Sequence, residues 1–200
     1  VAHKAKASRP DQRGSFRIIG GRWRGRRLDF VDDGSVRPSP DRVRETLFNW
    51  AMPVVRGARC LDLFAGSGAL GLEALSRGAD QVVFVDSQRS VTANIKRHLQ
   101  TLGASAEVVC GDALAYLRGV PQTFDLVFID PPYRQDWVPR ILEYLPACMA
   151  DGAQLYVEME TGSALQLPEG FELLKHKSAG QVSYHWVAYS SQPPSDNHKE

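Results

Sequence analysis

The chain predicts an α/β fold on a mostly parallel sheet, and three observations carry that prediction. From Ala58 onward, short apolar runs of strand type alternate with stretches of helical periodicity. No helical pattern separates the last two runs, Phe171–Lys177 and Val182–Tyr189, so they close the sheet as an antiparallel hairpin. Ahead of the alternation, Phe16–Ile19 and Arg26–Val31 flank a glycine- and arginine-rich stretch, the pattern of a small hairpin with a basic tip. Repeated strand–helix units imply right-handed crossovers with helices on both faces of a seven-stranded sheet.

Taken in order, Arg37-Pro-Ser-Pro introduces the first helix. Ser39 is the expected N-cap and Pro40 the first helical residue, with Val43, Leu47, Phe48 and Ala51 as the apolar face and Pro53 as the stop. RCLDLF, residues 59–64, reads as a buried strand, and the helix after it ends at Gly78. QVVFVD, residues 81–86, is the second strand of the alternation. Val91, Ile95, Leu99 and Leu102 recur at helical spacing, with Gly103 as a stop. Strands follow at Ala106–Cys110 and Phe124–Ile129, with a helix around Asp112–Arg118 between them. A helix at Trp137–Leu145 leads to a strand at Ala153–Glu158. The expected division is a basic tail (1–14), a hairpin extension (15–36), one large domain (37–190) and a second tail (191–200). Both tails read as disordered.

Composition excludes several classes. Of 200 residues, 43% are hydrophobic and 24% charged, ordinary values for a globular protein with a core. No apolar run approaches the roughly 20 residues that cross a bilayer, and basic Val1–Pro10 lacks the apolar stretch of a secretory signal. Cys60, Cys110 and Cys148 have no zinc spacing and sit in or beside apolar stretches, which predicts buried free thiols in a cytoplasmic protein. The scattered His3, His98, His176, His185 and His198 suggest no metal site. The formal net charge of +1 hides a front of +8 over residues 1–59 and a body of −7 over 60–200, so the front is suited to a polyanion.

Chemistry concentrates in two motifs. In Leu61-Asp62-Leu63-Phe64-Ala65-Gly66-Ser67-Gly68-Ala69-Leu70-Gly71, a strand passes through a glycine turn into a helix. Gly66, Gly68 and Gly71 satisfy the spacing of a dinucleotide site, with Asp86 about 20 residues on, so glycines alone leave the ligand open. Asp62 separates the readings. It would meet a pyrophosphate awkwardly, but it would welcome a cofactor that carries an ammonium and a sulfonium, as S-adenosylmethionine does. Asp86, followed by Ser87, suits two ribose hydroxyls, and Asp112 in Gly111-Asp112-Ala113 suits an adenine amino group.

The second motif, Asp130-Pro131-Pro132-Tyr133, follows the strand Phe124–Ile129. An exocyclic base amine is a poor nucleophile because its lone pair is delocalised into the ring. The Asp130 carboxylate and the Pro131 carbonyl can accept its N–H bonds, Pro132 stiffens the backbone that aims them, and Tyr133 can stack on an extruded base.

LDLFAGSG, VFVD, GDA and DPPY resemble the cofactor and amino-methylation motifs of class I S-adenosylmethionine-dependent methyltransferases, whose fold is Rossmann-like. DPPY alone leaves DNA adenine-N6, protein glutamine-N5 and RNA guanine-N2 enzymes open. The front narrows this. Residues 17–26 (RIIGGRWRGR) with 37–50 (RPSPDRVRETLFNW) are similar to the RsmD family, bacterial 16S ribosomal RNA (guanine-N2)-methyltransferases, over roughly residues 16–190. The family often has Thr where Ser39 stands, and either hydroxyl can cap a helix or contact cofactor.

The resemblance implies that Asp62, Phe64, Ala65, Gly66, Ser67, Gly68, Asp86, Ser87, Asp112 and Ala113 bind cofactor and that Asp130, Pro131, Pro132 and Tyr133 hold the guanine. It implies G966 of 16S rRNA as target, within a 30S subunit or a late assembly intermediate. Apart from the resemblance, a monomer with no membrane partner is expected. For RNA contact the residues themselves offer Arg22, Arg24, Arg26 and Arg27 around Trp23, extended by Arg37, Ser39, Arg42 and Arg44. Two structural alternatives stand beside this: Trp23 closing the hairpin's own core, and Arg42 and Arg44 pairing with Asp41 and Glu45. Glu158 and Glu160 read as structural. The expected chemistry is direct in-line transfer without a covalent enzyme intermediate, so no cysteine is essential. A nicotinamide-dependent oxidoreductase would leave Asp62 and DPPY without a role, and a non-catalytic assembly factor would not need DPPY intact.

Overall fold

A computed structural model describes residues 12–32, 39–132 and 136–191 of the chain. Arg37, Tyr133 and most of both expected tails lie outside the described residues. Two strands, β1 (Gln12–Arg17) and β2 (Arg27–Asp32), pair antiparallel as a separate ribbon. The ribbon thus begins inside the segment expected to be a tail. The main sheet comprises β3 (Arg59–Asp62), β4 (Gln81–Asp86), β5 (Glu107–Cys110), β6 (Phe124–Ile129), β7 (Met149–Glu160), β8 (Phe171–Ala179) and β9 (Val182–Tyr189). Their spatial order is 5-4-3-6-7-9-8, with only the β7–β9 and β9–β8 pairings antiparallel.

Strand alternation explains the two-sided cover. Cys60, Val82, Phe84, Leu126 and Phe128 join one core, and Leu61, Val83, Val127 and Ile129 join the other. The first core is completed by α1 (Asp41–Ala51), α2 (Ala69–Ser76) and α3 (Arg89–Leu102), the second by α4 (Ala113–Gly119) and α5 (Trp137–Tyr144). Full burial of a side chain such as Phe84 or Leu61 contributes about 1.5–3 kcal/mol. In α3, Val91, Ile95, Leu99 and Leu102 all face inward, and left-handed Gly103 ends the helix as its spacing predicts.

Three expectations are corrected. Helix α1 starts at Asp41 with Pro40 at the cap position, so Ser39 lies one residue outside and caps nothing. Cys110 is exposed because β5 is the sheet's edge strand, while Cys60 and Cys148 are buried. Strand β7 starts at Met149 rather than Ala153, through an irregularity in its pairing with β6.

The front ribbon docks on α2. Buried Glu73 accepts hydrogen bonds from the backbone N–H groups of Ile19 (2.7 Å) and Gly20 (2.8 Å) and from Arg77 Nε (2.7 Å). Ser76 Oγ donates to the Gly20 carbonyl and accepts from the Trp23 N–H. Between these contacts Gly21 adopts φ +75°, and a Cβ there would come within 1.9 Å of the Ser76 carbonyl oxygen. The extension is therefore tied to the helix that grows out of the glycine turn.

Candidate active site

Strand order reverses beside β3: β4 and β5 lie on one side of it, β6 and β7 on the other. Ligands of open α/β sheets bind at such a switch point, outside the carboxyl ends of the strands. Asp62 ends β3, Asp130 follows β6, and the two flank this crevice. A cleft of about 890 Å³ opens there, lined by the predicted Asp62, Phe64, Ala65, Gly66, Ser67, Asp86, Ser87, Asp112, Ala113, Asp130, Pro131 and Pro132. Gly68 shapes the turn without lining the cleft.

At one end, backbone N–H groups hold each carboxylate. Asp62 accepts from Gly71 N at 2.9 Å. Asp86 accepts from Gly66 N (3.0 Å) and Gln88 N (2.9 Å), and Asp112 caps α4 by accepting from Ala115 N (2.9 Å). Gly71 is obligatory for the first bond, because a Cβ at that position would lie 2.2 Å from the Phe84 ring. Burial pushes the Asp62 carboxyl up to about 7, against the Gly71 hydrogen bond and helped by nearby Asp86.

At the other end, carboxyls meet side chains. Ser39 Oγ lies 2.9 Å from Glu158 Oε2 and 3.4 Å from Asp130 Oδ2, and the Tyr156 hydroxyl donates to Glu158 Oε2 at 2.7 Å. Burial, then the neighbouring Glu158 and Asp62, raises Asp130 well above the usual carboxyl range. Glu158 is raised by burial, against the hydrogen bonds from Tyr156 and Ser39.

Among the described residues that line the cleft, five are acidic (Asp62, Asp86, Asp112, Asp130 and Glu158) and none is Lys or Arg. A pyrophosphate would face this wall unpaired, and the first-turn N–H of Gly71 that could receive it is already bonded to Asp62. A ligand with two cationic centres fits the same wall. The donor set therefore suits S-adenosylmethionine and not a dinucleotide.

The model of the family described as Conserved hypothetical protein 95 matches residues 16–188. This chain belongs to that family. The ribosomal RNA small subunit methyltransferase D of Escherichia coli K12 is 44% identical over 187 residues, covering 92% of this chain and 94% of that protein. A solved structure described as a putative methyltransferase from Escherichia coli, yhhF, superposes with a TM-score of 0.84 at 43% identity, over 90% of this chain and all of that one. The Thermus thermophilus 16S rRNA N2 G1207 methyltransferase, solved with AdoMet and guanosine, superposes with a TM-score of 0.68 over 90% of this chain and 50% of that one. At 22% identity it shares the fold. The family's fold is the class I S-adenosylmethionine-dependent methyltransferase fold, as the motifs predict.

The basic front divides. Arg22, Arg24, Arg26, Arg27 and Arg42 are exposed. Trp23 is not available for stacking on RNA: its ring is 7% exposed in the core, with the Arg22 guanidinium 4.2 Å from its centroid. Arg44 is 1% exposed and braces the site instead. It donates to the Ser39 carbonyl (3.1 Å), to the Arg17 carbonyl (2.9 Å) and to Asp41. Ser39 is likewise no surface residue; it lines the cleft. Sequence reasoning missed Trp137, Gln181 and Val182 as lining residues and took Glu158 as structural. Only Glu158 carried a signal, standing at the end of a strand next to the DPPY strand.

Proposed function

We propose that this chain transfers the methyl group of S-adenosylmethionine to the exocyclic N2 of a guanine in 16S rRNA, with G966 as target and an assembled or assembling 30S subunit as substrate. One observation carries the reading: the all-acidic wall at the switch point and the Asp130-Pro131-Pro132 segment line one continuous cleft. A 44% identical relative named as a ribosomal RNA small subunit methyltransferase supports the RNA class.

When bound, the cofactor supplies a methyl group activated by a positively charged sulfur. Asp62 faces its cationic portion, Asp86 accepts the ribose hydroxyls beside Ser87, and Asp112 with Ala113 meets the adenine. Phe64, Ala65, Gly66, Ser67 and Gly68 shape the turn beneath it. Asp130 and the Pro131 carbonyl orient the guanine amino group, and Tyr133, beyond the described residues, is assigned to stacking. The acidic cleft repels phosphates, so a base must leave its stack to enter, while Arg22, Arg24, Arg26, Arg27 and Arg42 offer the backbone positive charge outside. Arg37 joins them from beyond the described residues. Catalysis is then positioning and electrostatics, carried out by a monomer.

Mapping the modified nucleotide after reaction with undermethylated 30S subunits tests this. N2-methylguanine at position 966 is expected; methylation of DNA adenine, or of another rRNA position alone, overturns it.

A further inference from the structure

We propose that Ser39 and Glu158 form a proton relay behind Asp130, which carries away the proton that the target amino group loses on methylation. The inference rests on the reading of Asp130 as the group that meets that nitrogen, and it gives a specific role to Ser39 and Glu158, which stand at the end of the cleft away from the glycine turn.

The geometry begins in the sheet. Ile129 pairs with Val157, so Asp130 and Glu158 emerge side by side from adjacent strands. Ser39 stands between them, 8% exposed, with its single hydroxyl hydrogen in reach of both carboxyl groups. One hydroxyl cannot donate to two carboxylates at once. Glu158 Oε2 already receives the Tyr156 hydroxyl at 2.7 Å, and Ser39 approaches that same oxygen at 2.9 Å, so Glu158 is the member furnished to hold negative charge. Ser39 Oγ is then an acceptor toward Asp130, and the 3.4 Å contact is satisfied when Asp130 Oδ2 carries a hydrogen. Contacts of this kind are often long before substrate arrives. Among the described residues, the groups beside the pair are Asp62 from β3, Tyr156 from β7 and Tyr184, opposite Glu158 on β9; none of these brings positive charge, and burial raises both carboxyls.

The step balances. As the N–CH3 bond forms, the electron pair of the C–S bond goes to sulfur, and positive charge passes to the amino nitrogen. That nitrogen loses one proton to Asp130. The hydrogen on Asp130 Oδ2 moves to Ser39 Oγ while the Ser39 hydrogen moves to Glu158 Oε2. Asp130 ends neutral with its hydrogen on Oδ1 in place of Oδ2, Ser39 ends as a hydroxyl whose hydrogen faces Asp130, and Glu158 ends neutral. Loss of the sulfonium charge raises the proton affinity of nearby carboxylates, so the proton is drawn inward as transfer completes.

The first readout needs neither cofactor nor RNA: a carbon NMR titration of the side-chain carboxyls. In the native protein Asp130 and Glu158 should titrate as a linked pair. Glu158→Gln should move the Asp130 midpoint down, and Ser39→Ala should weaken the linkage where Ser39→Thr preserves it. The second readout is single-turnover methylation of 30S subunits across pH. Glu158→Gln and Ser39→Ala should each slow transfer on the order of 100-fold near neutral pH, with the rate recovering as pH rises and cofactor affinity held within about threefold. Ser39→Thr should restore the native profile, which a purely structural role for the hydroxyl in folding would not link to pH. An unmoved Asp130 midpoint, or a native rate and pH profile in Glu158→Gln, overturns the relay. Should that variant fail to fold, the Ser39→Ala and Ser39→Thr pair decides by the same criteria. Loss of transfer in Asp130→Asn with a native Glu158→Gln refutes the relay alone, whereas a native rate in Asp130→Asn refutes the assignment beneath it.

Discussion

The two ends of the cleft hold carboxylates by opposite means. At the glycine-turn end, Asp62, Asp86 and Asp112 each rest on a backbone N–H, from Gly71, Gly66 and Ala115. At the other end, Asp130 and Glu158 rest on Ser39 and Tyr156, side chains that can themselves give or take a proton. Backbone donors fix an acceptor's position and favour its ionised form. Hydroxyl donors leave the protonation state movable. The first arrangement suits recognition of a cationic ligand, the second suits a reaction that releases a proton.

Breaking the reactive end should give the largest effect. Asp130→Ala is expected to lower single-turnover methylation by at least about 10³-fold while calorimetric affinity for S-adenosylmethionine stays within about threefold. Loss of affinity in a folded variant would move Asp130 to the cofactor end. Outside the cleft, reversing charge at Arg22, Arg24 and Arg26 should weaken 30S binding by about 100-fold at moderate salt and flatten its salt dependence by roughly 0.7–0.9 log units for each phosphate no longer neutralised. Cofactor affinity should be unaltered in that variant, and native turnover on ribosomal substrate would remove these arginines from the interface.

The glycine-turn end should respond to pH. Asp62 is raised from 3.8 to about 7 in the folded, ligand-free protein. Its contribution to stability is therefore fully present below 3.8 and is lost as pH rises toward 7. Asp62→Asn should accordingly raise the Tm of the free protein at pH 8. A cationic ligand favours the ionised form, so native cofactor affinity should climb about tenfold per pH unit between pH 5 and 7 and level off above. Asp62→Asn should abolish that climb; an equal slope in both proteins would assign the linkage elsewhere. The smallest effect is expected at Cys110, exposed on the edge strand, where Cys110→Ser should leave affinity and turnover within about twofold.

Much of this was legible in the residues. The strand ends bearing Asp62, Asp86 and Asp130 follow from apolar runs that stop at an acid, and the switch point follows from the strand–helix alternation. What was illegible depends on neighbours far away in the chain. Arg44 looked like a surface charge, yet it sits four residues before Phe48 and seven before Ala51, on the inward face of α1. Of the acceptors that let it stay there, Asp41 and the Ser39 carbonyl lie three and five residues earlier, and pairing with Asp41 is among the readings the sequence offers; the Arg17 carbonyl, 27 residues earlier, is the tertiary contact no local pattern reveals. Glu73 is similar: a lone carboxylate in an almost wholly buried helix must be paired, and Arg77 four residues on is a local partner, but its two backbone donors lie 53 and 54 residues earlier. Ser39 was misplaced by one helical position, and that shift carries its hydroxyl from a cap into the cleft.

Calorimetry of the native protein with S-adenosylmethionine and, separately, with NADH tests most directly whether the acidic wall selects a cation. Saturable binding of S-adenosylmethionine that weakens below pH 7, with no heat from NADH, is the predicted result. NADH binding at comparable or greater affinity would contradict the account.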